Sequence, residues 1–203
     1  MTNPIPYGIV NYSEKTEKEY IMLLREAIAA VIPQMVEEWN EIQLPLIEQA
    51  AMGTPFSVIF KDRLTQEKTK WVSPYLDISF AYFIKKYIPD FEVDETVGRD
   101  YTWNGVGFEC KITFGKDGWT GNGYAKTSKH ILLRFTLTKD GKISEMFAAL
   151  VELDKCKSRW TDPTTKSNFS TLKFVKEDAD VLDIIVGDMK INRVYIKPIM
   201  CAV

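Results

Sequence analysis

The chain is poor in the residues from which most familiar enzyme sites are built. It has a single histidine, His130, in 203 residues, which leaves little room for a Ser-His-Asp triad and could not complete a zinc site of the usual kind. The three cysteines, Cys110, Cys156 and Cys201, are far apart and lack metal-knuckle spacing, which fits a reducing, cytoplasmic compartment. Neither a P-loop nor a GxGxxG fingerprint is present. No charged-then-apolar leader opens the chain and no apolar run is long enough to span a bilayer, so a soluble protein without a membrane partner is expected. Linkers, low-complexity runs and repeats are missing as well. With 45% apolar and 12% aromatic residues the chain can bury one sizeable core, and one domain over residues 1–203 is expected, helical in 1–53 and sheet-containing in 54–203.

An excess of positive charge is also missing. The formal net charge is −2, which by itself argues against a polyanionic partner. The distribution says more than the total. Before Gly53, Glu14, Glu17, Glu19, Glu26, Glu37, Glu38, Glu41 and Glu48 face only Lys15, Lys18 and Arg25. Farther on, Lys116, Lys126, Lys129, His130 and Arg134 are opposed by Asp117, and Lys155, Lys157, Arg159, Lys166, Lys173 and Lys176 form a second basic stretch. Basic walls on an acidic body would reconcile a nucleic-acid partner with the net charge, while ordinary solvated loops explain the second stretch equally well.

What the chain does have is Asp100-Tyr-Thr-Trp-Asn104-Gly105-Val-Gly-Phe-Glu109-Cys-Lys111. Asn-Gly is the strongest two-residue hairpin signal, because a type I′ turn needs positive φ at both central residues. Counting outward, Trp103 pairs with Val106, Tyr101 with Phe108, and Asp100 comes opposite Glu109, with Cβ atoms roughly 4.5–5.5 Å apart. Alternation places Lys111 on the face of Glu109 and puts Tyr101, Trp103, Val106, Phe108, Cys110 and Ile112 on the other, apolar face. Two carboxylates that close repel, and a hard cation supplies a reason for them. Mg²⁺ binds through one or two carboxylates and takes further ligands from water and substrate phosphate. A solvated sheet face carrying Asp, Glu and Lys is the plainer alternative.

The segment resembles the PD-(D/E)xK nuclease superfamily, type II restriction endonucleases in particular, in which an Asp on one hairpin strand is followed by Glu-x-Lys on the next. The resemblance implies a restriction-endonuclease-like α/β (α+β) fold, with a central mixed sheet flanked by helices. It also implies that Asp100, Glu109 and Lys111 are catalytic, that Asp100, Glu109 and the Cys110 backbone carbonyl bind Mg²⁺ with Mn²⁺ able to substitute, and that Lys111 orients or activates the attacking water. The literal Pro-Asp pair stands upstream as Pro89-Asp90, where a helix stops and a strand begins, so Asp90 competes with Asp100 for the first position. Only Asp100 has the pairing geometry. Asp77, within an otherwise apolar helix, is a further acidic candidate, although a first-turn Asp favoured by the helix dipole explains it too.

Around the hairpin the pattern is α/β. Thr16-x-x-Glu19 is a capping box ahead of apolar residues at helical spacing, and Pro33 is expected to end that helix. A second helix is expected over residues 34–52 with a kink at Pro45, a strand over 56–60, and a third helix starting at Ser73-Pro74. Strands are expected at 91–97, 131–138, 143–153, 181–186 and 193–199, with 143–153 ambiguous between strand and helix and Asp140-Gly141 as a second hairpin turn.

The run from Gly115 to His130 is rich in glycine and lysine and lacks helical periodicity. It reads as a substrate-binding loop in which Lys116, Trp119, Asn122, Tyr124, Lys126, Lys129 and His130 contact DNA. The plainer reading has Trp119 and Tyr124 plugging the core. The expected function is a sequence-specific, metal-dependent endonuclease for double-stranded DNA, a homodimer because cutting both strands needs two sites. The acidic helices are candidates for the dimer contact, and core packing explains their stripes equally well. A repair, junction-resolving or homing nuclease, or a non-catalytic nucleic-acid- or protein-binding domain, remains as the alternative.

Overall fold

The computed structural model describes residues 16–54, 68–94, 96, 98–115, 118–121, 127–161, 170–191 and 194–196. Thr16 caps the first helix as the capping box requires, its Oγ1 accepting the Glu19 amide at 3.4 Å while Glu19 Oε2 accepts the Thr16 amide at 2.7 Å. That helix, α1 (Glu17–Glu38), does not end at Pro33 as the sequence suggests. Pro33 and Ala29, the residue whose carbonyl loses its helical partner, both lie on the exposed face, so water can replace the missing bond. A π-helical turn (Trp39–Gln43) then leads into α2 (Leu44–Ala51), with Pro45 in its first turn where its missing N–H does no harm. The strand expected at 56–60 lies outside the described residues. The third helix, α3 (Lys68–Tyr87), starts before Ser73-Pro74 and carries Pro74 inside it, again on an exposed face.

Ten strands are described: β1 (Glu92–Val93), β2 (Tyr101–Trp103), β3 (Val106–Thr113), β4 (Trp119–Gly121), β5 (Lys129–Leu137), β6 (Ile143–Glu152), β7 (Ser170–Leu172), β8 (Asp183–Val186), β9 (Met189–Ile191) and β10 (Val194–Ile196). Six form a mixed sheet in the order β1-β2-β3-β5-β6-β8, in which β3 and β5 run parallel and the remaining pairs antiparallel. The pairs β4–β7 and β9–β10 are separate. The stretch at 143–153 is a strand flanked on both edges by β5 and β8, and burial on both faces explains its near-continuous apolar run. The expected strand at 91–97 shrinks to two residues, and the loop expected between 115 and 130 contains β4.

Each face of the sheet buries its own cluster. On one face Phe108, Cys110, Ile131, Leu133 and Phe135 pack with Leu24, Ile28 and Met35 of α1 and with Leu76, Phe80 and Ile84 of α3. Full burial of each large apolar side chain contributes about 1.5–3 kcal/mol, so this layer is the main source of stability. Polar ties fix it in place. Trp39 Nε1 donates to the Gly141 carbonyl at 2.9 Å, and the Asn40 amide pairs with the Ile143 backbone in both directions, at 2.8 and 2.9 Å. The turn that they grip is the hairpin signalled by Asp140-Gly141, with Gly141 at φ +84°. On the opposite face Leu132, Phe147, Ala149 and Val151 meet Trp119 of β4, Leu172 of β7, and Leu182 and Ile184. Among the described residues no helix is long and apolar enough to cross a membrane.

Candidate active site

The β2–β3 hairpin turns at Asn104 and Gly105, with φ of 50° and 73°, and its register is Trp103 with Val106, Thr102 with Gly107 and Tyr101 with Phe108. Those two positive φ values are what the Asn-Gly pair exists to supply. One step beyond, the Asp100 amide donates to the Phe108 carbonyl at 2.9 Å, which brings Asp100 beside Glu109. Cys110 turns its side chain into the helix-covered core, leaving only its backbone to the site, and its N–H donates to Asp100 Oδ2 at 2.7 Å.

Lys111 stands between the two carboxylates. Its Nζ is 3.4 Å from Asp100 Oδ2 and forms an ion pair with Glu109 Oε1. The three side chains differ in access to water: Glu109 is 8% exposed, Lys111 19% and Asp100 38%, so the cluster opens toward solvent on the Asp100 side. Burial pushes the Glu109 carboxyl above its ordinary value, Lys111 pulls it back in part, and Asp100 adds to the rise. Burial alone would lower the Lys111 ammonium, but Asp100 and Glu109 outweigh it and the net shift is upward. Lys111 is therefore a cation at neutral pH, able to orient a nucleophile or stabilise negative charge and poorly suited to accept a proton. One acceptor is left over: Glu109 Oε2 is buried without a hydrogen-bond partner.

Asp77 reaches the same cluster from α3. Its Oδ1 accepts the Tyr101 hydroxyl at 2.7 Å, its pKa is raised by partial loss of water, and the charges of Asp100 and Lys111 both act on it. Asp90 stays apart, in the exposed turn after α3, and no described contact ties it to Asp100, Glu109 or Lys111. Of the two aspartates weighed for the first position, Asp100 is the one beside Glu109.

The residues grouped as DNA contacts separate. Trp119 is interior rather than surface, 1% exposed, with Nε1 donating to the Leu133 carbonyl at 3.0 Å, which is the core-plug arrangement. His130 is also interior and fully buried, because β5 is a central strand and Glu109 is its register partner in the parallel β3–β5 pair. Lys129 faces the other way and pairs with Glu17 at 2.9 Å. Lys116, Asn122, Tyr124 and Lys126 lie outside the described residues. In the second basic stretch, Lys155 pairs with Glu152 at 2.7 Å, and the Arg159 guanidinium donates to the carbonyls of Leu153 and Ser158 at 2.7 and 2.8 Å.

One neighbour of Lys111 was not singled out from sequence. Gly121 of β4 lies against its stem, since a Cβ built on Gly121 would be 3.2 Å from Lys111 Cε; the same point is 3.4 Å from Trp160 Cη2. No local signal marks Gly121, because the pairing of β4 with β7 joins segments about fifty positions apart.

A cavity of about 560 Å³ lies elsewhere, between α1 and the sheet, walled by Tyr20, Leu24, Trp103, Phe108 and Leu150. Three carboxylates, Glu17, Glu152 and Asp183, also line it, and each is ion-paired, with Lys129, Lys155 and Arg25 in turn. Chemistry, rather than size of cavity, singles out the Asp100–Glu109–Lys111 cluster.

The donor set fits a hard divalent cation. It consists of two carboxylates within reach of one ammonium, one of them with an orphaned buried oxygen. Among the described residues no three His, Cys, Asp or Glu side chains converge as a metal cage, so the set suits an ion that keeps several waters better than zinc or a fully caged Ca²⁺. No model of a known protein family and no curated protein sequence matches the chain.

Proposed function

We propose that this chain is a divalent-metal-dependent endonuclease with a PD-(D/E)xK site on a restriction-endonuclease-like fold, and that it cuts double-stranded DNA at specific sequences as type II restriction enzymes do. The observation that carries the reading is the conjunction of Asp100, Glu109 and Lys111 on one hairpin face with Glu109 Oε2 buried and unpaired. A buried carboxylate oxygen without a donor costs roughly 1–3 kcal/mol, an expense that a binding site explains and a decorative surface does not.

Asp100 and Glu109 would hold Mg²⁺, with Mn²⁺ as a substitute and with the Cys110 carbonyl as a further donor. When bound, such an ion polarises the scissile phosphate and makes water a better nucleophile near neutral pH. Asp100 is oriented by the Cys110 amide, so its carboxylate is in place before any ligand arrives. Lys111, held protonated, orients the attacking water or offsets the charge that develops on the phosphate during in-line displacement. Asp77 adds negative charge at the edge of the cluster and is fixed by Tyr101. Cutting both strands calls for two copies of the site, and a two-fold homodimer supplies them with matching symmetry for a palindromic target.

A second reading has one observation in its favour. Lys111 already pairs with both carboxylates, so the hairpin face could be a self-neutralised charge cluster on a non-catalytic binding domain. Incubating the protein with a long duplex of diverse sequence, with Mg²⁺ and then with a chelator, separates the two. Discrete Mg²⁺-dependent fragments are expected, lost in Glu109→Ala and Lys111→Ala. Intact DNA with every divalent metal tried would favour the binding domain.

A further inference from the structure

Thr102 pairs with Gly107 across the β2–β3 hairpin, and alternation along β3 puts position 107 on the face of Glu109 and Lys111, away from the face on which Phe108 and Cys110 enter the core. Where a side chain would stand at 107, the stem of Arg99 lies instead. A Cβ built on Gly107 would fall on Arg99 Cδ, 3.0 Å from its Cγ and 3.4 Å from its Nε. Arg99 thus starts from the residue before Asp100 and crosses β3 two positions from Glu109, a separation of about 7 Å along the strand. The turn that delivers it is fixed, since its amide donates to the Thr96 carbonyl at 3.0 Å and Gly98 before it has φ +85°.

The guanidinium at the end of that stem has one distant partner. Its Nε is 3.5 Å from Asp94 Oδ2, longer than a good hydrogen bond, and the side chain stays 38% exposed. Among the described residues neither terminal nitrogen makes a hydrogen bond. Asp94 is satisfied without it. That carboxylate accepts the Thr96 amide at 2.8 Å and the Thr102 hydroxyl at 2.5 Å, and these bonds do more than Arg99 to pull its pKa down to about 2. Lys111 differs from Arg99 in being engaged by both carboxylates of the cluster.

We propose that Arg99 binds a backbone phosphate of the DNA, next along the strand to the phosphate cut at Asp100 and Glu109, and that position 107 lacks a side chain so that the arginine stem can lie there. The choice of DNA as the ligand rests on the nuclease reading; the placement of Arg99 does not. A guanidinium is charged at every working pH and offers a planar fork of donors that matches phosphate oxygens. Its position about 7 Å from Glu109 along β3 suits a neighbouring phosphate rather than the scissile one.

The test is binding of a labelled duplex, followed by fluorescence anisotropy with Ca²⁺ in place of Mg²⁺ and KCl varied from about 50 to 200 mM. Any sequence serves, because a phosphate contact is blind to sequence. Each phosphate neutralised steepens the fall of log K with log salt by about 0.9, so Arg99→Gln should flatten the slope by about one and weaken binding roughly 5- to 10-fold at about 0.1 M salt. Gly107→Ala should do the same by pushing the stem aside, with the fold kept, because the glycine has no left-handed φ and the nearest atoms belong to a flexible side chain. Asp94→Asn keeps an acceptor for the Thr96 amide and removes the competing charge, so DNA should bind as tightly as before or more tightly. An arginine that only ties its loop to Asp94 would give the opposite pattern: Arg99→Gln and Asp94→Asn would lower the melting temperature alike and leave the salt slope unchanged, which would overturn the proposal. An Arg99→Gln protein that cuts DNA and keeps the unaltered slope would remove the phosphate contact and leave the nuclease standing. A slope flattened by Arg99→Gln in a protein that no metal makes cut would keep the contact and remove the nuclease reading. An unaltered chain that binds no DNA would remove both.

Discussion

His130 gives a stability prediction whose size follows from its surroundings. The imidazole is fully buried, and burial pulls its pKa from 6.5 down to about 4, with nearby Lys111 lowering it and the Ser128 carbonyl and Asp100 opposing. The hydrogen bonds agree with a neutral ring, since a proton on Nε2 would confront the Trp160 N–H. In the unfolded chain the same histidine titrates near its ordinary value. Between those two values the unfolded state therefore binds a proton that the folded state refuses, and stability must rise with pH across the window and be lost as pH falls through it. A gap of about 2.5 units at about 1.4 kcal/mol each amounts to about 3 kcal/mol, a sizeable fraction of the 5–15 kcal/mol that holds a domain of ordinary stability together. Glu109 and Asp77 act with the opposite sign. Their pKa values are raised in the fold, so what they contribute declines as pH rises above the ordinary carboxylate range. A comparison of variants isolates the histidine. Chemical denaturation at pH 7 and pH 4 should show the unaltered protein losing about 3 kcal/mol more than His130→Gln, which keeps an acceptor for Trp160 but does not titrate. Equal losses in the two proteins would refute the reasoning and mean that the buried imidazole accepts its proton without cost.

Other perturbations separate the candidate site from the scaffold. Glu109→Gln removes a charge that the fold disfavours while Lys111 keeps Asp100, so its melting temperature at pH 7 should match or exceed the unaltered value while cleavage falls by at least ~100-fold. A large loss of thermal stability instead would make Glu109 a structural residue. Asp178→Ala should do the reverse. This fully buried carboxylate accepts the amides of Lys157 at 2.6 Å, Ser158 at 3.3 Å and Val175 at 3.2 Å together with the Ser158 hydroxyl, and orphaning those donors should cost about 3–5 kcal/mol, lowering the melting temperature by about 10 °C. A melting temperature within a few degrees of the unaltered one would show that water replaces the carboxylate.

The hairpin was legible because its turn chemistry is local. Only a pair such as Asn104-Gly105 tolerates two successive positive φ values, and once that turn is placed, alternation puts Asp100, Glu109 and Lys111 on one face without knowledge of the rest of the chain. Helix ends were less legible. Pro33 read as a break and Pro74 as the first turn of a helix, yet both lie inside helices, where each costs little because the freed carbonyl is on the water side, and the sequence does not say which side that is. Trp119 read as a DNA-contacting loop aromatic, with the core plug only as the plainer alternative, and its burial against Leu132, Phe147 and Leu172 depends on a strand pair, β4–β7, formed between distant segments. The same pair brings Gly121 to Lys111. His130 looked like one more polar residue in a basic loop, whereas it belongs to a central strand and owes its burial to neighbours on both sides.

The central claim is that Asp100 and Glu109 share one divalent cation beside Lys111, and Mn²⁺ binding followed by electron paramagnetic resonance tests it without DNA or turnover. The unaltered chain should bind Mn²⁺ in competition with Mg²⁺, Asp100→Asn and Glu109→Gln should each weaken binding by at least ~10-fold, and Asp90→Asn should leave it unchanged. Binding that survives both substitutions, or that disappears in Asp90→Asn, would contradict the site.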